Sequence, residues 1–230
     1  MKNFFKILGS ILFVLFAAGA VFYFAKNESL PQGKQGKEAD ALAMKMLNAL
    51  NYQAYKNTET IVWNFRNKHF YKWNKQENII AVSWDNNKVI LHAKNPKKTE
   101  VFIDDKKVEN NNILKKATDF YNNDSFWLVA PYKIFDTGTE RRIVTHKGRA
   151  ALLVTYTSGG STPGDSYLWI LNEQYFPTSF KMWTKIIPMG GVSATWEDWK
   201  VTESGALLST SHQFSIGNKF YLENVKAYNE

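Results

Sequence analysis

The sequence predicts an α+β protein, mainly β, in which an N-terminal transmembrane helix precedes a curved antiparallel half-barrel covered by helices. Three observations lead to this prediction: a long uncharged run near the N-terminus, a short amphipathic helical pattern after it, and many later segments whose apolar residues alternate. The chain has 230 residues, of which 44% are hydrophobic, enough for one substantial core. We therefore expect one folded domain at residues 38–230, after a signal or membrane anchor at 1–25 and a linker at 26–37.

The uncharged run extends from Ile7 to Ala25 and follows a short basic lead with Lys2 and Lys6. As a helix it would be about 28 Å long, close to the hydrocarbon thickness of a bilayer. A cleaved signal peptide is the alternative, because residues 18–20 read Ala-Gly-Ala, a small-x-small cleavage site. Cleavage would leave the aromatic residues of 21–24 at the mature terminus, whereas aromatic side chains suit a membrane interface. The sequence therefore favours an uncleaved anchor.

The short, signal-like lead indicates that the larger downstream part of the chain is exported. We expect a periplasmic domain in the bacterial cell envelope, anchored to the inner membrane through residues 7–25; after cleavage it would instead be secreted to the periplasm. Residues 26–37 contain Pro31, Gly33 and Gly36 among lysines, which is the composition of a flexible tether.

Charge and cysteine content exclude several function classes. The net charge of +8 comes from dispersed lysines and isolated basic doublets, whereas nucleic-acid binding favours a concentrated basic stripe. We expect no nucleic-acid partner. The chain has no cysteine, which excludes disulfides, thiolate catalysis, zinc–sulfur sites and a lipidated N-terminal cysteine. No pattern in the sequence specifies an oligomeric state.

Two helical patterns and a series of strand patterns organise the domain. Apolar residues recur at helical spacing from Ala39 to Leu50, and again within 111–121, with Pro131 limiting the second helical region. Elsewhere the apolar period is two, and turn residues separate the segments. The predicted strands lie at 61–65, 80–84, 88–93, 99–103, 140–146, 150–156, 166–171, 178–186, 192–201, 206–214 and 220–227.

No catalytic or metal-binding motif is present. His69, His92, His146 and His212 fall on separate predicted strands without the short spacing of paired metal ligands. The nucleophile elbow, the phosphate-binding loop, the dinucleotide fingerprint and the helical zinc motif are all missing from the sequence. We expect no metal, no cofactor and no enzyme activity.

The most distinctive short segment of the sequence is 158–165, Ser-Gly-Gly-Ser-Thr-Pro-Gly-Asp, directly before a predicted strand. Its glycines could expose backbone N–H groups to an anion or bring the chain close to a ligand, which makes Gly160, Thr162 and Asp165 candidate site residues. The alternative is a wide hairpin loop in which Asp165 caps the turn. A hydrolase that uses this loop is the remaining enzymatic interpretation.

Aromatic side chains give a stronger indication of a binding site. They occur on nearly every predicted strand, and a curved sheet would bring many of them to its concave face, where they could line a lipid-sized cavity. The alternative is a filled core, the commoner place for strand aromatics. The candidate cavity residues are Trp63, Phe65, Trp84, Phe126, Trp127, Trp169, Phe180 and Trp183.

The order of elements resembles the bacterial lipoprotein-carrier fold, the LolA/LolB-like group, over about residues 38–227. The likeness rests on the helix at 39–52, the aromatic strand hairpins, the mid-chain helices, and the strand Tyr-Leu-Trp-Ile-Leu-Asn at 167–172 with Pro177 soon after. The resemblance implies an unclosed barrel, covered by helices, that holds acyl chains. Carriers of this group are soluble or lipidated on cysteine, whereas this chain has a protein anchor.

These observations predict a non-enzymatic cell-envelope protein that binds a lipid or a lipoprotein acyl chain in an apolar half-barrel cavity. The expected partners are a lipid or an acylated protein and, through residues 7–25, the membrane. The alternative is a membrane-anchored structural or protein-interaction module whose core is fully packed.

Overall fold

The computed structural model describes residues 2–229, so the predicted boundaries at Met1 and Glu230 lie outside the described residues. The helices are α1 (Lys2–Lys26), α2 (Lys37–Ala49), α3 (Tyr52–Asn57) and α4 (Asn111–Val129), with 3-10 turns at Pro96–Lys98 and Ala130–Tyr132.

Fourteen antiparallel strands in the described chain form two sheets that are not closed, which confirms the predicted α+β, mainly β, class. One sheet has nine strands in the order β12-β13-β14-β1-β2-β3-β4-β5-β6, and the other has the order β11-β10-β9-β8-β7. The strands are β1 (Thr60–Phe65), β2 (His69–Asn74), β3 (Ile79–Trp84), β4 (Asn87–His92), β5 (Glu100–Ile103), β6 (Lys106–Val108), β7 (Thr139–His146), β8 (Arg149–Tyr156), β9 (Ser166–Leu171), β10 (Pro177–Trp183), β11 (Val192–Thr195), β12 (Glu197–Val201), β13 (Leu207–Gln213) and β14 (Lys219–Tyr228).

The chain passes from one sheet to the other at Trp196. The sequence predicts a single strand at 192–201, but β11 pairs with β10 whereas β12 pairs with β13. Trp196 N–H donates to Thr178 O at 2.8 Å, and its indole is buried between the sheets. Two strands therefore replace the predicted one because the chain bends around a buried tryptophan.

The two long helices of the domain pack on the sheets. In α2 the stripe from Ala39 to Met46 is buried, as its spacing predicts, and Arg141 on β7 bonds Asp40 at 2.6 Å. Helix α4 begins at Asn111 and is capped by Asn110, whose side-chain oxygen accepts from the N–H groups of Asn112 and Ile113. It extends eight residues beyond the predicted end at 121, since an apolar face continues to Val129 before Pro131.

A buried carboxylate ties α4 to the nine-stranded sheet. Asp124 on α4 is 1% exposed, and its Oδ2 lies 2.6 Å from both Tyr71 Oη and His69 Nδ1 on β2. Asn123 donates to the other carboxylate oxygen at 2.8 Å. Burial, together with this carboxylate, raises the pKa of Tyr71, so its hydroxyl stays protonated and donates.

The N-terminal part of the structure matches the apolar segment but not the predicted free tether. Residues 6–26 form one helix that is long and apolar enough to span a membrane, and none of it is buried against the domain. The segment after it lies on the five-stranded sheet: Lys34 forms a two-hydrogen-bond bridge with Ile143 on the edge strand β7. Backbone groups of this segment thus have partners on the domain, which composition does not reveal, and the division at residues 26–37 stays a prediction.

Candidate ligand-binding site

A cavity of about 620 Å³ lies between the C-terminal half of α4 and strands of both sheets. Its exposed rim includes Arg66, Asp136 and the loop residues 158–161. Its interior is mostly aromatic and aliphatic. The buried and half-buried lining includes Phe65, Phe126, Trp127, Tyr156, Tyr167, Met182, Ile187, Phe214 and Phe220.

Side chains alternate between the two faces of a strand, and this alternation places the cavity residues of β9 and β10 on the face of the sheet that points to the main core. Tyr167 and Trp169 on β9 face the main core, whereas Leu168 between them belongs to a small cluster on the opposite face of the sheet. Tyr167 is paired in register with Met182 on β10, and both line the cavity. Alternation along two paired strands thus builds one wall of the cavity.

Six of the predicted site residues lie together at this cavity. Phe65, Phe126 and Trp127 belong to its aromatic lining, and the loop residues Gly160, Thr162 and Asp165 belong to its rim and wall. No pattern in the sequence indicates that the aromatic candidates and the loop lie together. They meet because α4 passes over the end of β8, where the loop starts.

The other five predicted residues do not line the cavity. Trp63 is fully buried and stacks on Tyr71 with ring centroids 4.4 Å apart, and Trp169 packs edge-on against Phe180 at 5.2 Å. Trp84 packs against the helix α4. Trp183 points to the outer face of its sheet, in register with the period of β10. Trp63, Trp84, Trp169 and Phe180 are core residues, so for these four the structure supports the filled-core alternative.

The glycine-rich loop is held by side-chain hydrogen bonds. Asp165 is 5% exposed; its carboxylate accepts from Thr162 Oγ1 at 2.6 Å and from Lys185 N–H at 3.0 Å. Ser161 bonds two residues of α4, donating to Asp119 and accepting from Asn122, each at 3.1 Å. Asp165 therefore caps the turn. The loop 158–165 is hydrogen-bonded through Ser161 to α4, the helix that covers the cavity.

Two hydroxyl groups in the cavity lining have no hydrogen-bond partner among residues 2–229. They are Tyr156 Oη and Thr184 Oγ1, both buried at the atom level. Burial raises the pKa of Tyr156, and the nearby Asp136 raises it further, so the phenol remains a donor at any physiological pH. Buried polar groups are nearly always bonded, so these two hydroxyls are hydrogen-bonding groups left available at the cavity surface.

Charges at the rim are mostly paired. Lys133 bonds Asp136 at 2.8 Å, and Asp119 bonds Lys115. The Arg66 guanidinium has no carboxylate partner in the described chain and lies 4.6 Å above the ring of Phe220. The rim therefore offers one unpaired cation beside an apolar interior.

The histidines do not form a site. Within residues 2–229 no group of three histidine or carboxylate side chains could hold a metal ion. His69 belongs to the Asp124 cluster, and His212 is fully buried beneath the cavity, its ring 5.1 Å from that of Trp127. Burial lowers the pKa of His212 from its ordinary 6.5 to about 4.

We expect acid to destabilise the domain through His212. The unfolded histidine takes up a proton near pH 6.5 and the folded one only near pH 4, so its contribution to stability is complete above pH 6.5 and is lost as the pH falls. The free energy of unfolding should drop by roughly 3 kcal/mol from this group between these values. Urea denaturation across this range should show a steeper pH dependence for the wild type than for His212→Gln. Equal slopes would contradict a neutral buried histidine.

Comparisons with known proteins add one structural likeness. No family model matches the chain. No curated protein matches it either. A crystal structure of a DUF1329 family protein from Desulfovibrio piger is similar, with 8% identity and a TM-score of 0.43, over 83% of this chain and 93% of that one.

Several cavity residues were missed by sequence reasoning. Tyr167 and Met182 could have been found, because each is two positions from a predicted candidate on the same strand face. Phe214 and Phe220 flank the turn between β13 and β14 and carry no distinguishing pattern. Tyr156 and Thr184 lie at strand ends, where the period of two no longer indicates a direction.

Proposed function

We propose that this chain is a non-enzymatic cell-envelope protein that binds a lipid or a lipoprotein acyl chain in the cavity beneath α4. The observation that carries the proposal is the cavity of about 620 Å³ with aromatic walls in an otherwise filled core. Ligand pockets have volumes of roughly 300–1,000 Å³, mostly apolar linings and a few convergent polar groups. The hydroxyls of Tyr156 and Thr184, which have no partner among the described residues, are the convergent polar groups of this cavity.

The mechanism is sequestration by apolar burial. Each methylene that enters the cavity contributes about 0.8 kcal/mol, from which the cost of ordering the ligand is subtracted. An ester or carboxyl oxygen of the ligand would accept hydrogen bonds from Tyr156 and Thr184. Such bonds would orient the polar end without any chemical step, which is consistent with Asp165 and Ser161 being engaged in loop contacts.

Helix α1 serves as the anchor in this proposal. Its apolar length and its lack of contact with the domain suit a membrane span, and export through it would place the domain in the periplasm. The resemblance to lipoprotein carriers supports the same class of ligand. A protein anchor makes this a fixed lipid-binding protein and not a released carrier.

We expect Tyr156→Phe to separate binding from folding. The substitution removes a buried hydroxyl that has no partner among the described residues, so it should raise the free energy of unfolding by about 1 kcal/mol. It should also weaken binding of a fluorescent fatty-acid analogue about five- to tenfold, since one hydrogen bond to the ligand is lost. The binding titration suits a form that begins at Asn27, which removes α1 and keeps the segment on the sheet.

Tyr132→Phe is the matched control. The Tyr132 hydroxyl is buried outside the cavity and donates to Leu50 O and Leu207 O, so its loss should reduce stability and leave binding unchanged. If the wild type does not bind the analogue, the structural-module alternative replaces this proposal.

A further inference from the structure

The chain contacts the folded domain directly after α1, without a spacer. Asn27 is the first residue beyond the helix, and its side-chain oxygen accepts from Gly190 N–H at 2.8 Å. Glu28 N–H donates to Gly190 O at 3.0 Å. Trp183 Nε1–H donates to Glu28 O at 2.7 Å. The end of α1 is thus joined to the loop 184–191 between β10 and β11.

Charge and close packing strengthen this junction. Both carboxylate oxygens of Glu28 lie within 2.7 Å of Lys181 Nζ, whose side chain is only 19% exposed. A Cβ on Gly190 would lie 2.5 Å from Trp183 Cδ1, and one on Gly191 would lie 2.7 Å from Glu28 Cβ. Glycine is required at both positions for the backbone to approach this closely.

The length of α1 sets the height of the junction above a bilayer. The 21 residues of 6–26 span about 31 Å as a helix, which matches the hydrocarbon thickness of about 30 Å. Lys26 then lies at the headgroup level. Asn27, Glu28 and their partner Gly190 come immediately above it.

The loop 184–191 belongs both to this junction and to the mouth of the cavity. Thr184, Ile186 and Ile187 line the cavity, yet Ile186 is 70% exposed. Ile186 is four residues from Gly190, so their Cα atoms are at most about 14 Å apart. An exposed aliphatic side chain at this height would lie in the interfacial region of the membrane.

Charges around the loop suit an anionic lipid surface. Lys26 and Lys185 are exposed cations that form no ion pair in the described chain. The two nearby carboxylates are engaged, Glu28 with Lys181 and Asp165 with Thr162 and the Lys185 backbone. Headgroups near the loop would therefore meet unpaired lysines.

We infer that the loop 184–191 rests on the membrane that holds α1, with Ile186 among the lipid headgroups, and that the cavity exchanges its ligand directly with the adjacent leaflet. This inference rests on the proposed function, in that it takes α1 as the anchor and the cavity as the lipid site. It adds the direction from which the ligand enters and the residue at the entrance.

A single fluorescent label tests the inference in the full-length chain. The chain has no cysteine, so Ile186→Cys and Val201→Cys each accept one environment-sensitive label. Both side chains are about equally exposed, but Val201 pairs with Leu207 in the nine-stranded sheet, whereas the loop 184–191 joins two strands of the five-stranded sheet. The labelled proteins are reconstituted in vesicles of phosphatidylcholine and phosphatidylglycerol that contain shallow nitroxide-bearing lipids.

The label on Ile186→Cys should be quenched several-fold more strongly by the nitroxide lipids than the label on Val201→Cys, and less strongly by aqueous iodide. Adding Gly190→Ala, which displaces Glu28 and Trp183, should reduce the lipid quenching at Ile186→Cys. Equal quenching of the two labels by lipid and by iodide would overturn the inference. If the fatty-acid analogue does not bind while the Ile186→Cys label contacts lipid, the proposed function and the ligand exchange are rejected, and only the contact of the loop with the membrane is supported. If the fatty-acid analogue binds while the label on Ile186→Cys is exposed to water, this inference is rejected and the proposed function is not.

Discussion

Asp124→Ala should lower the free energy of unfolding by about 3 to 5 kcal/mol, because it removes the acceptor shared by the buried groups that join α4 to β2. Tyr71 Oη, which is buried, and His69 Nδ1, on a half-buried ring, would lose a common partner at 2.6 Å. The measurement is urea denaturation of the form that begins at Asn27, followed by tryptophan fluorescence.

Asp119→Ala on the same helix is the control for this prediction. Asp119 is 45% exposed and bonds Lys115 and Ser161 at the surface, so its loss should cost less than about 1 kcal/mol. Since α4 forms one wall of the cavity, Asp124→Ala should also weaken ligand binding in proportion to the loss of helix order. Equal costs for the two substitutions would show that the buried carboxylate does not hold α4 in place.

Thr184→Phe should abolish binding of the fatty-acid analogue, reducing affinity by more than about a hundredfold, while stability changes by less than about 1 kcal/mol. The new ring would enter the cavity that Thr184 lines and would occupy the space of the acyl chain. The lost hydroxyl has no partner in the apo chain as described, so its removal leaves no buried group unsatisfied.

Thr178→Phe makes the same change on the exposed side of β10, where Thr178 donates to Ile170 O. This control should bind the analogue like the wild type. Binding by Thr184→Phe with unchanged affinity would mean that the analogue occupies some other place on the protein. Strong destabilisation by Thr184→Phe would mean that the cavity cannot accept the ring.

Strands β10 and β14 were predictable from alternation, because burial alternates along them, whereas β8 and β9 were recognisable as apolar runs between turns because both of their faces are buried. Strand β2 was missed because Phe70, Tyr71 and Trp73 are all aromatic, which hides the period; Phe70 is in fact 44% exposed. Strand β6 is short and begins with two exposed lysines. Its place in the sheet depends on pairing with β5, which local sequence does not show.

The candidate site was only partly predictable, because the sequence does not show which segments come together around the cavity. Period and composition indicate which side chains point inward, but they do not indicate where packing is incomplete. Trp63 and Trp169 on strands and Trp127 on α4 are all buried tryptophans, and of these three only Trp127 borders the cavity. The unsatisfied hydroxyls of Tyr156 and Thr184 depend on contacts between distant segments and have no signal in the sequence.

The central claim is that the cavity beneath α4 holds a lipid or an acyl chain. Mass spectrometry of lipids tests it most directly, with a cleavable signal peptide in place of α1 so that the mature form begins at Asn27 and can be purified from a bacterial periplasm. The wild type should carry about one acyl chain or lipid per protein, and Thr184→Phe should carry none. A wild-type protein without lipid, or equal lipid in both proteins, would contradict the claim.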